Sequence, residues 1–150
     1  MSPNLTVVDF GSLDVNGSLK PIFKNHNYKG IDLSEGPNVD IVCDGKKTPF
    51  ADNSVDIIVS SSNFEHDICF WMTFLEMCRI LKNDGYIYIN VPSSGPYHAY
   101  PLDCWRFYKD SWKALEIYAN ANTHNIKLIE TYIDSKCFWK NNIGIFKKSV

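Results

Sequence analysis

A glycine turn flanked by acids, and two histidines further along, are the residues of this chain whose types and spacing could do chemistry. The apolar, β-branched run 5–10 reads as a short strand covered on both faces, with Asp9 inside it and Gly11 at its carboxyl end. Gly11 opens the stretch Gly11-Ser12-Leu13-Asp14-Val15-Asn16-Gly17, a turn where backbone can come close to a ligand. Ligands of open α/β sheets bind at that end of the strands. Asp32 closes a second strand-like segment, one strand and one crossover further on, and an acid there can accept both hydroxyls of a ribose. The set reads as a binder of a nucleotide-type cofactor. His66 and His98 follow two later strands and fall at the same end, where an imidazole can take a proton from a hydroxyl.

Residues 92–108 form a loop too long and too patterned for a simple connector. Tyr97, His98, Tyr100, Asp103 and Arg106 give it polar tips on aromatic surroundings, which suits a polar organic acceptor such as a sugar, or an acid gripped by Arg106. The alternative is an ion pair between Asp103 and Arg106 that pins the loop over the sheet, with Trp105 and Phe107 in the core. Glu65 reads as a packing or capping residue, Asp56 as structural, and Trp71 and Trp112 as core.

Strand, helix and turn signals alternate around these positions. After Gly17, residues 18–24 can form a short helix with Pro21 in its first turn. Only six residues, 33–38, separate Asp32 from the next apolar stretch at 39–43, too few for a helical crossover, so that strand must be short, irregular or poorly paired. Residues 54–61 read as a buried strand. Ile68, Trp71, Leu75, Cys78 and Leu81 recur at three and four and predict a core-facing helix over 67–82, stopped by Gly85. Strand 86–91 follows, and Asp110 can cap a helix running to about Asn120. The last two strands, 126–133 and 139–147, are linked so briefly that an antiparallel hairpin is expected.

Composition narrows the field. At 150 residues and 45% hydrophobic content, the chain has the size of one domain, 1–150, with a real core. Net charge is −2 and the 15 basic residues are scattered, which argues against nucleic acid. Five cysteines with no CxxC pair argue against a disulfide framework and a structural zinc site, and no metal site is read from the sequence. A reducing, cytoplasmic setting is the expectation. Residues 1–4 carry no signal-peptide pattern and no run is long enough to span a membrane.

The ordered series of Asp9 and Gly11, Asp32, Cys43-Asp44-Gly45, the strand 54–60, Phe64-Glu65-His66, Arg79-Ile80-Leu81-Lys82-Asn83-Asp84-Gly85 and Ile89-Asn90-Val91-Pro92 resembles the class I S-adenosylmethionine-dependent methyltransferases, in particular the type 11 group. That resemblance implies a Rossmann-like three-layer α/β sandwich whose mostly parallel seven-stranded sheet ends in an antiparallel hairpin. Here it would be a minimal version, lacking the amino-terminal helix and the crossover helix between the second and third strands. It implies S-adenosylmethionine as cofactor and S-adenosylhomocysteine as product. Asp9, Gly11 and Ser12 would hold the methionyl part, Asp32 and Leu33 the ribose side, Asp44 and Gly45 the adenine, and Ser60 and Ser61 the amino-acid end. The function implied is methyl transfer to a small polar acceptor, a sugar, glycan precursor or similar molecule, with His98 or His66 as base and Tyr97, Tyr100, Asp103 and Arg106 in the acceptor pocket. The alternative is a catalytically silent cofactor-binding subunit completed by another protein. The glycine loop departs from GxGxG. A core that lacks some of the usual helices and is rich in aromatics would leave apolar sheet surface that another subunit could cover, so a homo-oligomer is a further expectation.

Overall fold

A computed structural model describes residues 4–150 of the protein, so most of segment 1–4, for which no signal-peptide pattern is expected, lies outside the described residues. Its frame is one seven-stranded sheet in the order β3-β2-β1-β4-β5-β7-β6. The strands are β1 (Thr6–Phe10), β2 (Asn27–Asp32), β3 (Ile41–Val42), β4 (Val55–Ser61), β5 (Leu81–Pro92), β6 (Ile126–Ile133) and β7 (Asn141–Lys148). The first five run parallel, and β7 pairs antiparallel with both β5 and β6. The class I architecture, closing hairpin included, is therefore present. As the short 33–38 link requires, β3 is a two-residue strand beside the end of β2, with Ile31 opposite Ile41.

Helices α1 (Phe70–Ile80) and α2 (Ser111–Ala121) touch each other and lie on one face of the sheet, closing the main core. Val8, Phe10, Ile58, Ile87 and Ile89 point into that core, as the period of two along each strand dictates. Val7, Tyr28 and Val59 point the other way and are covered by Phe23 of a single 3-10 turn, Lys20–Phe23, and by Leu19 just ahead of it. That second outer layer is thin. Pro21 sits at its start, where a missing amide costs nothing, but the predicted helix goes no further than this turn.

Four local expectations need correction: the start, the buried face and the end of α1, and the cap of α2. Helix α1 begins at Phe70 rather than near Asp67, because Asp67 turns its carboxylate onto the Cys69 amide and the Thr73 hydroxyl ahead of the first turn. Its buried face is Thr73, Phe74, Glu76, Met77, Cys78 and Ile80, whereas Ile68 is exposed. The helix ends at Ile80 because Leu81 is already extended and pairs with Val55. The ladder then shifts so that Ile57 meets Tyr86, and Gly85 closes that irregularity, packed against the Asp56 and Lys82 carbonyls. Asp110 stands at the N-cap of α2 but makes no side-chain cap bond.

Trp112 of α2 is fully buried, and its indole N–H donates to Asn142 Oδ1 (2.9 Å). Asn142 Nδ2 in turn donates to the carbonyls of Phe107 (3.1 Å) and Tyr108 (2.9 Å). This pair ties the end of the 92–108 loop to β7. Trp71 is only half-buried and Trp105 is exposed to 37%, so of the loop aromatics expected in the core Phe107 alone is there.

Candidate functional site

A cavity of about 1280 Å³ opens across the carboxyl ends of the strands, where β1, β2 and β4 finish and the loop after β5 folds back. One side is lined by Asp9, Gly11, Ser12, Asp32, Leu33, Asp44 and Gly45, the other by Ser61, Asn63, Glu65, His66, His98, Tyr100 and Trp139. The order of strands brings these together: β1 and β4 are neighbours, so their ends face each other across the glycine turn.

On the first side, Gly11 adopts φ +75°, a conformation open to glycine at little cost. Its amide and that of Ser12 both donate to the Ile31 carbonyl at 3.0 Å, which draws the turn onto the end of β2. The space above Gly11 is taken by the Asn63 side chain, which a Cβ would meet at 2.5 Å. Asp32 is pre-set for diol recognition. Its Oδ2 accepts the Leu13 amide (3.1 Å) and its Oδ1 the Ser34 amide (3.2 Å), which fixes the carboxylate and leaves each oxygen a further lone pair. Leu33 beside it is 71% exposed within the cavity wall.

Asp9 is buried beneath the turn and accepts a short hydrogen bond from the Tyr28 hydroxyl, which Asn38 Nδ2 also approaches (3.0 Å). Burial pushes its carboxyl up to about 6, with the Tyr28 bond pulling the other way and the nearby Asp32 charge adding to the rise. Asp44 makes a turn with the Lys46 amide (2.9 Å) and an ion pair with Lys46 Nζ (2.8 Å), which together lower its pKa. The Ser12 hydroxyl donates to the Asn38 carbonyl (3.1 Å) and the Ser60 hydroxyl to the Phe10 carbonyl (2.9 Å). Ser60 is fully buried and braces β1 against β4, outside the cavity lining; Ser61 is in it.

On the second side, the loop after β5 lies as a strap over the end of β4. The Cys104 and Trp105 amides donate to the Glu65 carbonyl (2.7 and 3.2 Å), and the Trp105 indole donates to the Asp67 carbonyl (2.9 Å). Arg106 grips both oxygens of Asp103 (2.6 and 2.7 Å) and the Pro96 and Trp105 carbonyls, and Asp103 accepts the His98 amide (2.7 Å). The guanidinium holds the Asp103 carboxyl far below the usual carboxylate range. The ion-pair reading of these two residues is therefore what the fold builds. Neither lines the main cavity, and neither does Tyr97, which is 76% exposed; Tyr100 does.

His66 and His98 meet edge to face with ring centres 5.0 Å apart, and Trp139 packs on His98 at 4.5 Å. Glu65 is buried against them, with Oε1 3.7 Å from His66 Nε2, and burial raises its carboxyl to about 7. Sequence reasoning missed Glu65, Asn63 and Trp139 as lining residues. Only the position of Phe64-Glu65-His66 directly after a strand end could have flagged the first.

Fold and site define a Rossmann-like binder of a nucleotide-type cofactor with an ionisable cluster across from it. A family comparison makes this specific: residues 12–89, over half of the chain, match the methyltransferase domain. The chain belongs to that family, the type 11 group of the class I S-adenosylmethionine-dependent methyltransferases, and S-adenosylmethionine is its cofactor. Among solved structures it is similar to Burkholderia thailandensis 1,6-didemethyltoxoflavin-N1-methyltransferase with 1,6-didemethyltoxoflavin and S-adenosylhomocysteine bound, at 15% identity and TM-score 0.77, covering 97% of this chain and 72% of that one. It is also similar to the methyltransferase in complex with the Haloferax volcanii Trm112 activator (18%, TM-score 0.70, 98% and 84% covered) and to a SAM-dependent methyltransferase from Aquifex aeolicus (18%, TM-score 0.65, 98% and 83%). No curated protein matches the chain. No helix among the described residues is long and apolar enough to cross a membrane.

Proposed function

We propose that this domain transfers a methyl group to a hydroxyl of a small polar acceptor, a sugar or glycan precursor, bound between the β1–β2 side of the cavity and the strap. One observation carries the reading: a single cavity has the fixed Asp32 carboxylate on one wall and Glu65, His66 and His98 on the other. Its volume exceeds the roughly 300–1,000 Å³ of a one-ligand pocket, which leaves room for cofactor and acceptor together.

S-adenosylmethionine, when bound, supplies a methyl group made electrophilic by its sulfonium. Asp32 holds the ribose hydroxyls, for which its two spare lone pairs are suited. Asp9, set by Tyr28, takes the ammonium end, with Gly11, Ser12 and Ser61 around it. Leu33 and Gly45 flank the base, and Asp44 accepts from its amine in competition with Lys46. His66 and His98 activate the acceptor hydroxyl, and Tyr100 orients it. A reducing cytoplasm suits the five free thiols.

The test is calorimetric titration with S-adenosylmethionine and S-adenosylhomocysteine, beside Asp32→Ala. Micromolar binding is expected for the natural chain, on the order of 100-fold weaker in the variant, since charge-assisted bonds are lost. Labelled methyl transfer to sugars and polyols should then fall at least about 100-fold in His98→Ala. A folded chain that binds neither compound overturns the reading. A second reading, a silent subunit completed by another protein, draws on the thin outer layer over Tyr28 and on the activator present in the Haloferax volcanii complex. It predicts tight cofactor binding with no transfer until a partner is added.

A further inference from the structure

Glu65 and His66 leave the end of β4 side by side, and the strap returns His98 to the same spot. One donor atom from each lies within 4.8 Å of the other two. Their hydrogen bonds decide which atoms are free. His66 Nδ1 lies 2.5 Å from the Leu102 carbonyl, which can only accept, so Nδ1 carries the hydrogen and Nε2 the lone pair. His98 Nδ1 faces two acceptors, Asp103 Oδ2 at 3.3 Å and the Pro96 carbonyl at 3.4 Å. Arg106 Nη2 is also 3.3 Å away, but its two hydrogens go to those same acceptors at 2.7 Å each, so Nδ1 of His98 is protonated too. Both imidazoles thus keep Nε2 available.

Glu65 supplies the independent pointer. Its side chain is 1% exposed, and Oε2 has no hydrogen-bond partner among the described residues. Buried carboxylate oxygens are seldom left so unless something positive meets them. We propose that Glu65, His66 and His98 bind one divalent transition-metal cation, such as Zn²⁺ or Mn²⁺, at the acceptor end of the cavity. Two imidazoles and one carboxylate are the donor set such ions take, and three protein ligands leave positions open. Ligand atoms about 2.1 Å from one ion stand about 3.4 Å apart, so small side-chain rotations close the site from its present spacing. The outer bonds already have the expected form: one histidine donates to a backbone carbonyl, and the other rests against a carboxylate that Arg106 fixes. An open position would take the acceptor hydroxyl and lower its pKa, so with the cation bound the two histidines would activate the hydroxyl as ligands and not as bases. That role rests on the methyl-transfer reading; the cation site itself does not.

The test uses the full chain, stripped with chelator and titrated with Zn²⁺ and Mn²⁺ by calorimetry and with Co²⁺ by absorption. His66→Ala, His98→Ala and Glu65→Gln are run alongside, and S-adenosylhomocysteine is titrated on every variant as a check on folding and on the cofactor side. The expected result is one equivalent bound, weakened by at least about tenfold in each variant, with S-adenosylhomocysteine affinity unchanged and no thiolate charge-transfer band. No saturable binding by a chain that binds S-adenosylhomocysteine overturns the proposal. So does undiminished binding in the His66→Ala/His98→Ala double variant, or a cobalt spectrum showing cysteine ligation. Metal binding without S-adenosylhomocysteine binding would instead sink the methyltransferase reading and leave the site standing.

Discussion

On the β1–β2 side of the cavity, acidic side chains are held by backbone amides: Asp32 by Leu13 and Ser34, Asp44 by Lys46. On the β4–β5 side, the contacts that hold the site join segments far apart in the chain, as Leu102 does with His66, Trp105 with Asp67 and Cys104 with Glu65. Amides of a turn are fixed once the strands pair, so the first side is rigid whatever occupies it. The second depends on a strap that contributes no regular element between Pro92 and Ser111. A fold arranged in this way can keep its β1–β2 side while the strap is altered, because the strap's hydrogen bonds run to the end of β4, to the β6–β7 link and to the start of β7 and, among the described residues, none reaches β1 or β2.

The largest expected break comes from Arg106→Ala. It removes four hydrogen bonds and leaves the Asp103 carboxylate, 2% exposed, without its cation. Breaking a buried pair from one side costs about 3–5 kcal/mol, and here the loss should fall on the strap alone. Hydrogen exchange at the Cys104 and Trp105 amides should accelerate by about 100-fold or more, and acceptor methylation should collapse with it. Amides of β1 and β2, and the affinity for S-adenosylhomocysteine, should stay as they are. Equal acceleration on both sides would show that the cavity is one cooperative unit.

A smaller effect, confined to the other side, is expected from Asp9→Asn. Asp9 has a folded pKa raised to about 6 by burial, so between about pH 4 and pH 6 the folded chain binds more protons than the unfolded one. Its contribution to stability is complete below that window and is lost as pH rises through about 6. Asparagine still accepts the Tyr28 hydroxyl but has nothing to ionise. Urea midpoints should therefore fall from about pH 5 to about pH 8 in the natural chain and stay flatter in the variant, which gains up to about 3 kcal/mol at the upper end. Parallel profiles would mean that Asp9 ionises in the folded chain as readily as in the unfolded one, and that burial does not raise its pKa.

The same contrast explains what the sequence could reveal. Asp9, Gly11 and Asp32 were legible because short-range rules place them: a buried strand, a turn, one crossover, the next strand end. β6 spans the predicted residues, since its period and its short link leave little choice. The buried face of α1 was not legible, because Glu76 goes inward to meet the Thr48 amide and hydroxyl, a partner that only the fold brings near. Glu65 looked like a capping residue for a similar reason. Nothing local tells that a strap nearly forty residues on will seal it against His66 and His98. Asp103 and Arg106 were recognised as a possible pair, but their distance from the cavity wall depends on where the strap turns.

Ser60→Ala gives the smallest effect and the finest division between the two sides. Placed by resemblance among the cofactor residues, Ser60 instead donates to the Phe10 carbonyl from a fully buried position, and Asn63 Nδ2 approaches it at 3.4 Å. Losing that bond should cost about 1 kcal/mol of stability, read as a shifted urea midpoint, because a buried carbonyl forfeits one partner. S-adenosylhomocysteine affinity should change by less than about twofold, since the hydroxyl faces β1 rather than the cavity. A loss of affinity well beyond the loss of stability would mean that the brace between β1 and β4 sets the glycine turn through Asn63, which lies over Gly11, and the cofactor side would then extend one residue deeper into the sheet than its lining indicates.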